Sequence, residues 1–498
     1  MPEQPKTKPA AENSSAQSFV GSVLGFSVST YINFGITALA LLLTSFLVTD
    51  KAVINYMKIF TDATNLLMAV GILGLDQSLI RFFHEPPAGL SSKGLMRVCF
   101  YFSAGFLLLG GGVSFLLARR VLPLLALPGD FGLYLLPLLF LNALFWAVAR
   151  YFNVLLRMEQ RLLAFSVQSI LMNFFFRLFY LGGAFFKNQF AAMVLFSLCG
   201  LGGLAVVFGF LYRRTLRPQL SEFAPAVLRP ALKEILPYGL YTAPATVILY
   251  LNAVLAQVVI AGLAGASDAG VYGFAAFLAN IVTTVQAGFS TFWGAYMFAN
   301  YQTQQERIKK VHDFLNFIIL AFFCALVAAE DIIFFILRNN AGSQPLLPLM
   351  MLAAVFAILC EGTVYGIAIA KKPVYDTLGF ALALALNVGL CFLLVPPFGI
   401  AGAALALAAA NFAMFLFRTV IAQKFYRTIR SPGKTAAALL VACAVAAAGT
   451  VWAGAFWPRF IAAVAGLVFY CLFYRAEFVR FIKLLLGFVS ALFSRAKK

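Results

Sequence analysis

Residues 53–85, VINYMKIFTDATNLLMAVGILGLDQSLIRFFHE, decide how the rest of the chain is read. The stretch is apolar and long enough for a membrane-spanning helix, yet it carries Lys58, Asp62 and Asp76. On a helix turning 100° per residue, Lys58, Asp62, Asn65 and Asp76 fall within about 60° of one another, with Ala69 and Ile72 on the same stripe. A charge near the bilayer centre costs roughly 2.5–3.5 kcal/mol on insertion scales, so such a stripe has to face protein or water. The pattern predicts a wet cavity inside a membrane bundle.

Working outward, the 498-residue chain is 62% hydrophobic and 11% charged, which excludes a soluble core with a few buried helices. About fourteen apolar stretches of spanning length follow one another nearly end to end. Their helical lengths exclude an outer-membrane barrel built from alternating ten-residue strands. The expected fold class is an all-α polytopic membrane protein with about 14 transmembrane helices. The formal charge of +19 would suggest a nucleic-acid partner in a soluble protein. Here it follows topology. With both termini cytoplasmic, 29 of the Lys and Arg residues, Arg418 among them, fall on the inner side and 6, Arg459 among them, on the outer, with Lys58 and Arg177 inside helices. That asymmetry is the positive-inside pattern of an even number of spans, and it needs no nucleic acid.

The seven cysteines lie in or at the ends of apolar stretches without CxxC spacing, and are expected to be small buried hydrophobes. His84 and His312 sit at separate helix ends, so neither a metal nor another cofactor is expected. Residues 1–16 are polar and expected to be disordered. The first apolar segment, 18–48, is expected to be a span rather than a cleaved leader. Residues 163–186 hold Arg177 in the setting NFFFRLFY, and residues 213–234, with three prolines and five basic residues, form the longest inner connection. This connection is the expected linker between an N-lobe of six helices (17–212) and a C-lobe of six (235–426). Two further spans (427–478) and a basic amphipathic tail (479–498) follow, the tail expected to lie on anionic phospholipid at the inner surface. In the eighth span, Asn280, Thr284 and Thr291 repeat the stripe without charge.

Three segments carry a family resemblance. GLDQSLIRFFHE (74–85), LLRMEQRLLAFSVQSILMNFFFRLF (155–179) and the block from PLLPLMMLAAVFAIL (345–359) to IAIAKKPVYDTLGFALALALNVGLCFLLVPPFGIAGAALALAAANF (367–412) resemble oligosaccharide flippases of the MOP exporter superfamily. These are the O-antigen and exopolysaccharide type. The resemblance implies two six-helix lobes around a cavity that opens alternately to either side of the bacterial inner membrane. It also implies a substrate, an undecaprenyl-pyrophosphate-linked oligosaccharide, with a polysaccharide polymerase and glycosyltransferases as further partners.

An anionic pyrophosphate and a hydrophilic glycan need cationic and polar groups at the crossing point. The cavity candidates are Lys58, Asp62, Asn65, Arg177, Asn252 and Asn280, with Asp62 and Glu361 as ion-coupling carboxylates. Arg150, Arg157 and Arg161 are candidates for guiding the headgroup at the inner surface. The plainer alternative pairs Lys58 with Asp62 at i,i+4, or uses Asp62 and Arg177 as an inter-helix clamp. For Asp76 and Arg81 the expectation is anchoring. Polar Asn and Gln positions, Gln257, Gln286 and Asn387 among them, are as often glue between helices as sugar contacts.

Three other functions must meet the same facts. A multidrug exporter of the superfamily would usually have twelve spans and handle cations. The lipid II flippase branch has the right number of spans but a pattern with arginine in the first and eighth, both uncharged here. A membrane polymerase or glycosyltransferase would need a sizeable outer loop, and every outer loop here is short, with no catalytic constellation. The charge asymmetry sets a direct test of orientation. A cysteine placed at Ser267 should react with an impermeant maleimide added outside, and one at Ser221 only after the membrane is opened. The reverse pattern would invert the topology.

Overall fold

The computed structural model describes residues 32–125, 127–370, 372, 374–483 and 486, and all regular structure among them is helical. The order is α1 (Ile32–Leu47), α2 (Lys51–Ile72), α3 (Leu75–Phe82), α4 (Ser92–Val121), α5 (Leu135–Met158), α6 (Leu162–Arg177), α7 (Gln189–Leu211) and α8 (Arg213–Leu216). Then come α9 (Pro225–Ala264), α10 (Ala266–Asn300), α11 (Gln305–Ala328), α12 (Glu330–Ile336), α13 (Leu347–Thr363), α14 (Tyr365–Ile369), α15 (Val374–Phe425), α16 (Pro432–Val451) and α17 (Phe456–Phe473). Among the described residues ten helices are long and apolar enough to cross a membrane, eleven if the bent pair α2–α3 counts as one span. The expected tail beyond residue 486 and the start of the first span lie outside the described residues.

Residues 53–85 do not form one straight helix. The chain bends by 52° between α2 and α3. Leu73 (φ 51°) and Gly74 (φ 70°) occupy the left-handed region there, which ends the i→i−4 ladder. A Cβ on Gly74 would lie 2.2 Å from the carbonyl oxygen of Gly239, so only glycine lets α3 cross α9 at this distance. Ser78 Oγ donates to the Ile235 carbonyl at 2.8 Å and closes the crossing. The stripe of the straight-helix reading therefore holds for Lys58, Asp62 and Asn65, while Asp76 lies beyond the break on a differently directed helix. A second break falls within α15. Gly399 (φ 58°), after Pro396 and Pro397, divides α15 into two limbs.

The chain divides into two compact units. One holds the residues up to Ala40, Leu67–Ala118 and Phe131–Ala243; the other holds Leu41–Leu66, Arg119–Asp130 and Pro244 onward. In the first unit Leu75, Leu79, Leu95, Met96, Tyr151 and Phe152 form a continuous core. The connection at 213–234 is tied down rather than loose, and α9 begins within it. Arg97, 4% exposed, grips Glu222 with Nε (2.7 Å) and Nη2, and its Nη1 donates to the Thr215 carbonyl at 2.9 Å. Tyr101 Oη donates to the Leu216 carbonyl at 2.9 Å.

In the second unit α13 is buried along most of its length. Helices α16 and α17 pack beside it and α11 at small residues, with Gly449 facing Pro348 and Gly466 facing Cys324. Arg459, placed by sequence among the outer-side charges, is instead 1% exposed. It pairs with Asp331, approaches Glu330 at 3.7 Å, and donates to the Ala453 carbonyl at 2.6 Å. Cys199 also departs from expectation, being exposed on the apolar surface of α7, whereas Cys99, Cys324, Cys360 and Cys391 are buried. Removing one partner of a buried ion pair leaves the other charge uncompensated. Glu222→Ala should therefore destabilise the purified protein by about 3 kcal/mol, read as a fall in Tm, while Arg213→Ala on the same connection should be near neutral.

Candidate functional site

The second unit contains the upper part of the α2 stripe. Lys58 Nζ and the Asp62 carboxylate form an i,i+4 ion pair, with the two side chains 23% and 12% exposed. Beneath the pair is helix α10, where a Cβ on Gly273 would lie 3.7 Å from Lys58 Cβ and 3.2 Å from Gln257 Nε2. Gln257 Nε2 donates to Asn55 Oδ1 at 2.8 Å and to the Ala269 carbonyl at 2.7 Å. Asn55 is fully buried, and its Nδ2 has no hydrogen-bond partner among the described residues. Lys51 Nζ donates to Asn340 Oδ1 at 2.6 Å. On a helix, Lys51, Asn55, Lys58, Asp62 and Asn65 all fall within about 80° of one another. The stripe thus extends two positions further toward the start of α2 than the reading from residue 53 caught. Seven-residue steps from Lys58 back to Lys51, and from Asp62 back to Asn55, were the signal for it.

Asn65 is half-buried on the same stripe. Asn252 Oδ1 accepts from Asn387 Nδ2 at 2.9 Å, an inter-helix pair between α9 and α15. Asn280 is exposed, and the side chains of Thr284, Gln286 and Thr291 lie outside the described residues. Glu361 is the one charged residue of α13, and its neighbours in charge come from α15. It lies within electrostatic reach of Arg418 and Asp376. Arg418, 5% exposed, donates to Asp376 Oδ1 through Nε (3.1 Å) and Nη2 (3.0 Å), and its guanidinium lies 4.7 Å from the Phe380 ring centroid. Gly379 leaves room for its stem, since a Cβ there would meet Arg418 Cγ at 2.5 Å. Sequence reasoning counted Arg418 with the inner-surface charges and missed this cluster. An arginine followed by threonine six residues before a lysine reads as a helix end, and Asp376 is 42 residues away.

The first unit holds Arg177, at the last turn of α6. Its Nε donates to Asn173 Oδ1 at 2.8 Å, Asn173 Nδ2 donates to the Asn33 carbonyl at 2.9 Å, and Asn33 Nδ2 donates to Ser169 Oγ at 3.0 Å. Arg177 thus belongs to a polar chain linking α6 to α1. Arg150 is committed to Asp76, through Nε at 3.2 Å and Nη2 at 2.9 Å. Arg157 and Arg161 are exposed, Arg161 facing Glu159 at 3.8 Å. Arg81 is exposed and lies 3.8 Å from Glu85. Among the described residues no group of three or more His, Cys, Asp or Glu is placed to hold a metal ion.

No family profile matches the chain, and no curated protein matches it in sequence. Solved structures do resemble it in fold. "Lipid II flippase MurJ, inward closed conformation" superposes with a TM-score of 0.68 at 13% identity, covering 91% of this chain and 99% of that one. The MATE multidrug transporter DinF-BH gives 0.57 at 16% identity, covering 82% and 96%. An inward-facing multidrug resistance MATE transporter of the MOP superfamily gives 0.55 at 12% identity, covering 79% and 97%. The chain has the fold of the MOP-superfamily transporters.

Asn55 and Gln257 isolate the structural part of the stripe from its charged part. Asn55→Leu should cost about 1–3 kcal/mol by stranding a buried amide partner. Asn55→Leu combined with Gln257→Leu should cost clearly less than the sum of the single changes, because both polar groups are then gone. Additive unfolding free energies would show that the two amides do not act together.

Proposed function

We propose that the protein is a flippase that moves an undecaprenyl-pyrophosphate-linked oligosaccharide from the inner to the outer leaflet of the bacterial inner membrane. It does so by alternating access between two six-helix lobes, 17–212 and 235–426, with both termini in the cytoplasm. The observation that carries the reading is the Lys58–Asp62 pair, partly open to solvent, in the apolar helix α2 of a chain with the MOP fold. In this reading the Lys58 ammonium binds the pyrophosphate or an acidic sugar as the headgroup enters. Asp62 holds the ammonium in the empty protein; when the anion takes the ammonium, Asp62 takes up a proton, the ion-coupling step, so neither group is left as a bare charge. Arg177 offers a second cation, and Asn65, Asn252 and Asn280 offer amide contacts to sugar hydroxyls. Glu361, beside Arg418 and Asp376, is a second carboxylate for ion coupling. Arg157 and Arg161 are exposed and draw the headgroup to the inner surface, while Arg150 holds Asp76.

A second reading assigns lipid II as the cargo. It is favoured by the MurJ superposition, which covers 91% of this chain against 79–82% for the two MATE transporters. Both cargoes present a pyrophosphate and a glycan, and they differ in the sugars. Purified protein in proteoliposomes, supplied with either labelled lipid, separates the two by which one becomes accessible in the opposite leaflet. A sugar-transfer assay on the same preparation addresses polymerase activity. Asp62→Asn should reduce flipping of the preferred lipid roughly ten-fold or more at an unchanged protein level, as loss of one charge-assisted interaction implies. Normal transport by Asp62→Asn would sink the assigned role.

A further inference from the structure

The second unit contains a polar junction that the transport reading leaves unexplained. Asn340, 2% exposed, interrupts the 3-10 segment Arg338–Leu346 with φ −119° and ψ 25°. Its amide is used at both ends. Oδ1 accepts from Lys51 Nζ at 2.6 Å, and Nδ2 donates to Ser45 Oγ at 2.7 Å. Ser45, 1% exposed, lies near the end of α1, and Lys51 begins α2. One side chain therefore holds both helices flanking the first interhelical turn.

Two neighbouring contacts lock the same end. Ser343 Oγ donates to the Val271 carbonyl at 2.9 Å. Gly270, one residue earlier on α10, packs against Lys51 so closely that a Cβ would stand 1.8 Å from its carbonyl oxygen. The ends of α1 and α2, the start of α10 and the segment before α13 thus meet through backbone and buried polar contacts. An apolar bundle would be more simply closed by leucine. Hydrogen bonds of modest net strength, made by a group that water can satisfy equally well, suit a junction that must part and re-form.

We propose that Asn340 is the latch of the outer gate, clasping the Ser45–Lys51 turn when the cavity is open to the inside and releasing it when the cavity opens outward. The inference rests on the alternating-access reading and on the charge asymmetry that puts this turn on the outer side. Asn340→Ala removes both hydrogen bonds and biases the protein outward. Asn340→Asp keeps an acceptor for Lys51, now as an ion pair, and biases it inward. Ser45→Cys with Asn340→Cys allows a disulfide that holds the gate shut.

The reporter is Asn65→Cys on the α2 stripe, labelled by an impermeant maleimide added from either side of sealed vesicles, with the chain lacking this substitution as background. Asn340→Ala should raise labelling from outside roughly ten-fold, the population shift that two lost hydrogen bonds imply. Asn340→Asp should lower it. The oxidised Ser45→Cys/Asn340→Cys protein should lose outside labelling of the Asn65→Cys reporter and, with Asn65 intact, lose flipping, and should recover each after reduction with dithiothreitol and its removal. That comparison is made within one folded sample, so a folding defect cannot imitate it. Labelling from both sides that ignores position 340 and the disulfide overturns the latch alone. Labelling from one side only, in the intact chain and in every variant, overturns alternating access and the latch with it.

Discussion

Charge inside an apolar bundle has to be balanced inside it, and the rest of this structure depends on how that is done. The chain has 37 basic residues and 18 acidic ones, so acids are scarce, and several are placed against buried or half-buried arginines. Arg97 meets Glu222, Arg150 meets Asp76, Arg418 meets Asp376, and Arg459 meets Asp331. Each of these pairs joins two different elements or two halves of a broken one. They hold the connection at 213–224 to α4, α3 to α5, the two limbs of α15 to each other, and α17 to α12. Such pairs contribute to architecture because each has at least one partner that is largely buried, which loses its counter-charge when the other is removed. Lys58–Asp62 is different. Both partners are on α2, four residues apart, so the pair fastens no two elements together.

Glycine supplies the complementary constraint. Where helices must approach to backbone distance, a side chain is excluded, as at Gly74 against Gly239 and at Gly270 against Lys51. The first contact redirects the chain between α2 and α3; the second seats the start of α2 on α10. Between these points α2 runs unbroken from Lys51 to Ile72, so a stripe along it presents the same face over several turns.

The fold class was legible because it rests on length and hydropathy, which are local. Each apolar run is long enough to satisfy its own backbone only as a helix, and the helices fall where those runs lie. The bend at Leu73–Gly74 was not legible, since GILG within an apolar run is compatible with an unbroken helix until Gly239 approaches it. Arg97–Glu222 spans 125 residues and Lys51–Asn340 spans 289, and no local spacing encodes such a pairing. Arg459 was misplaced for a related reason. It follows Trp457 and Pro458, a typical interfacial setting, and only the packing of α17 against α12 shows that it is buried. In the candidate site, the i,i+4 pair and the amide polarity were readable. The commitment of Arg150 to Asp76, and of Glu361 to the surroundings of Arg418, depended on distant chain segments.

Burial along the α2 stripe divides its work. At its start, Asn55 is fully buried and bonded to Gln257, and Lys51 is held by Asn340, so these side chains are occupied in joining α2 to its neighbours. One and two turns on, Lys58 and Asp62 are bonded to each other, and both retain some exposure. Asn65 follows, half-buried. The start of the stripe, Lys51 and Asn55, thus takes up the packing of α2 against its neighbours, while Lys58 and Asp62 farther along are bonded to each other.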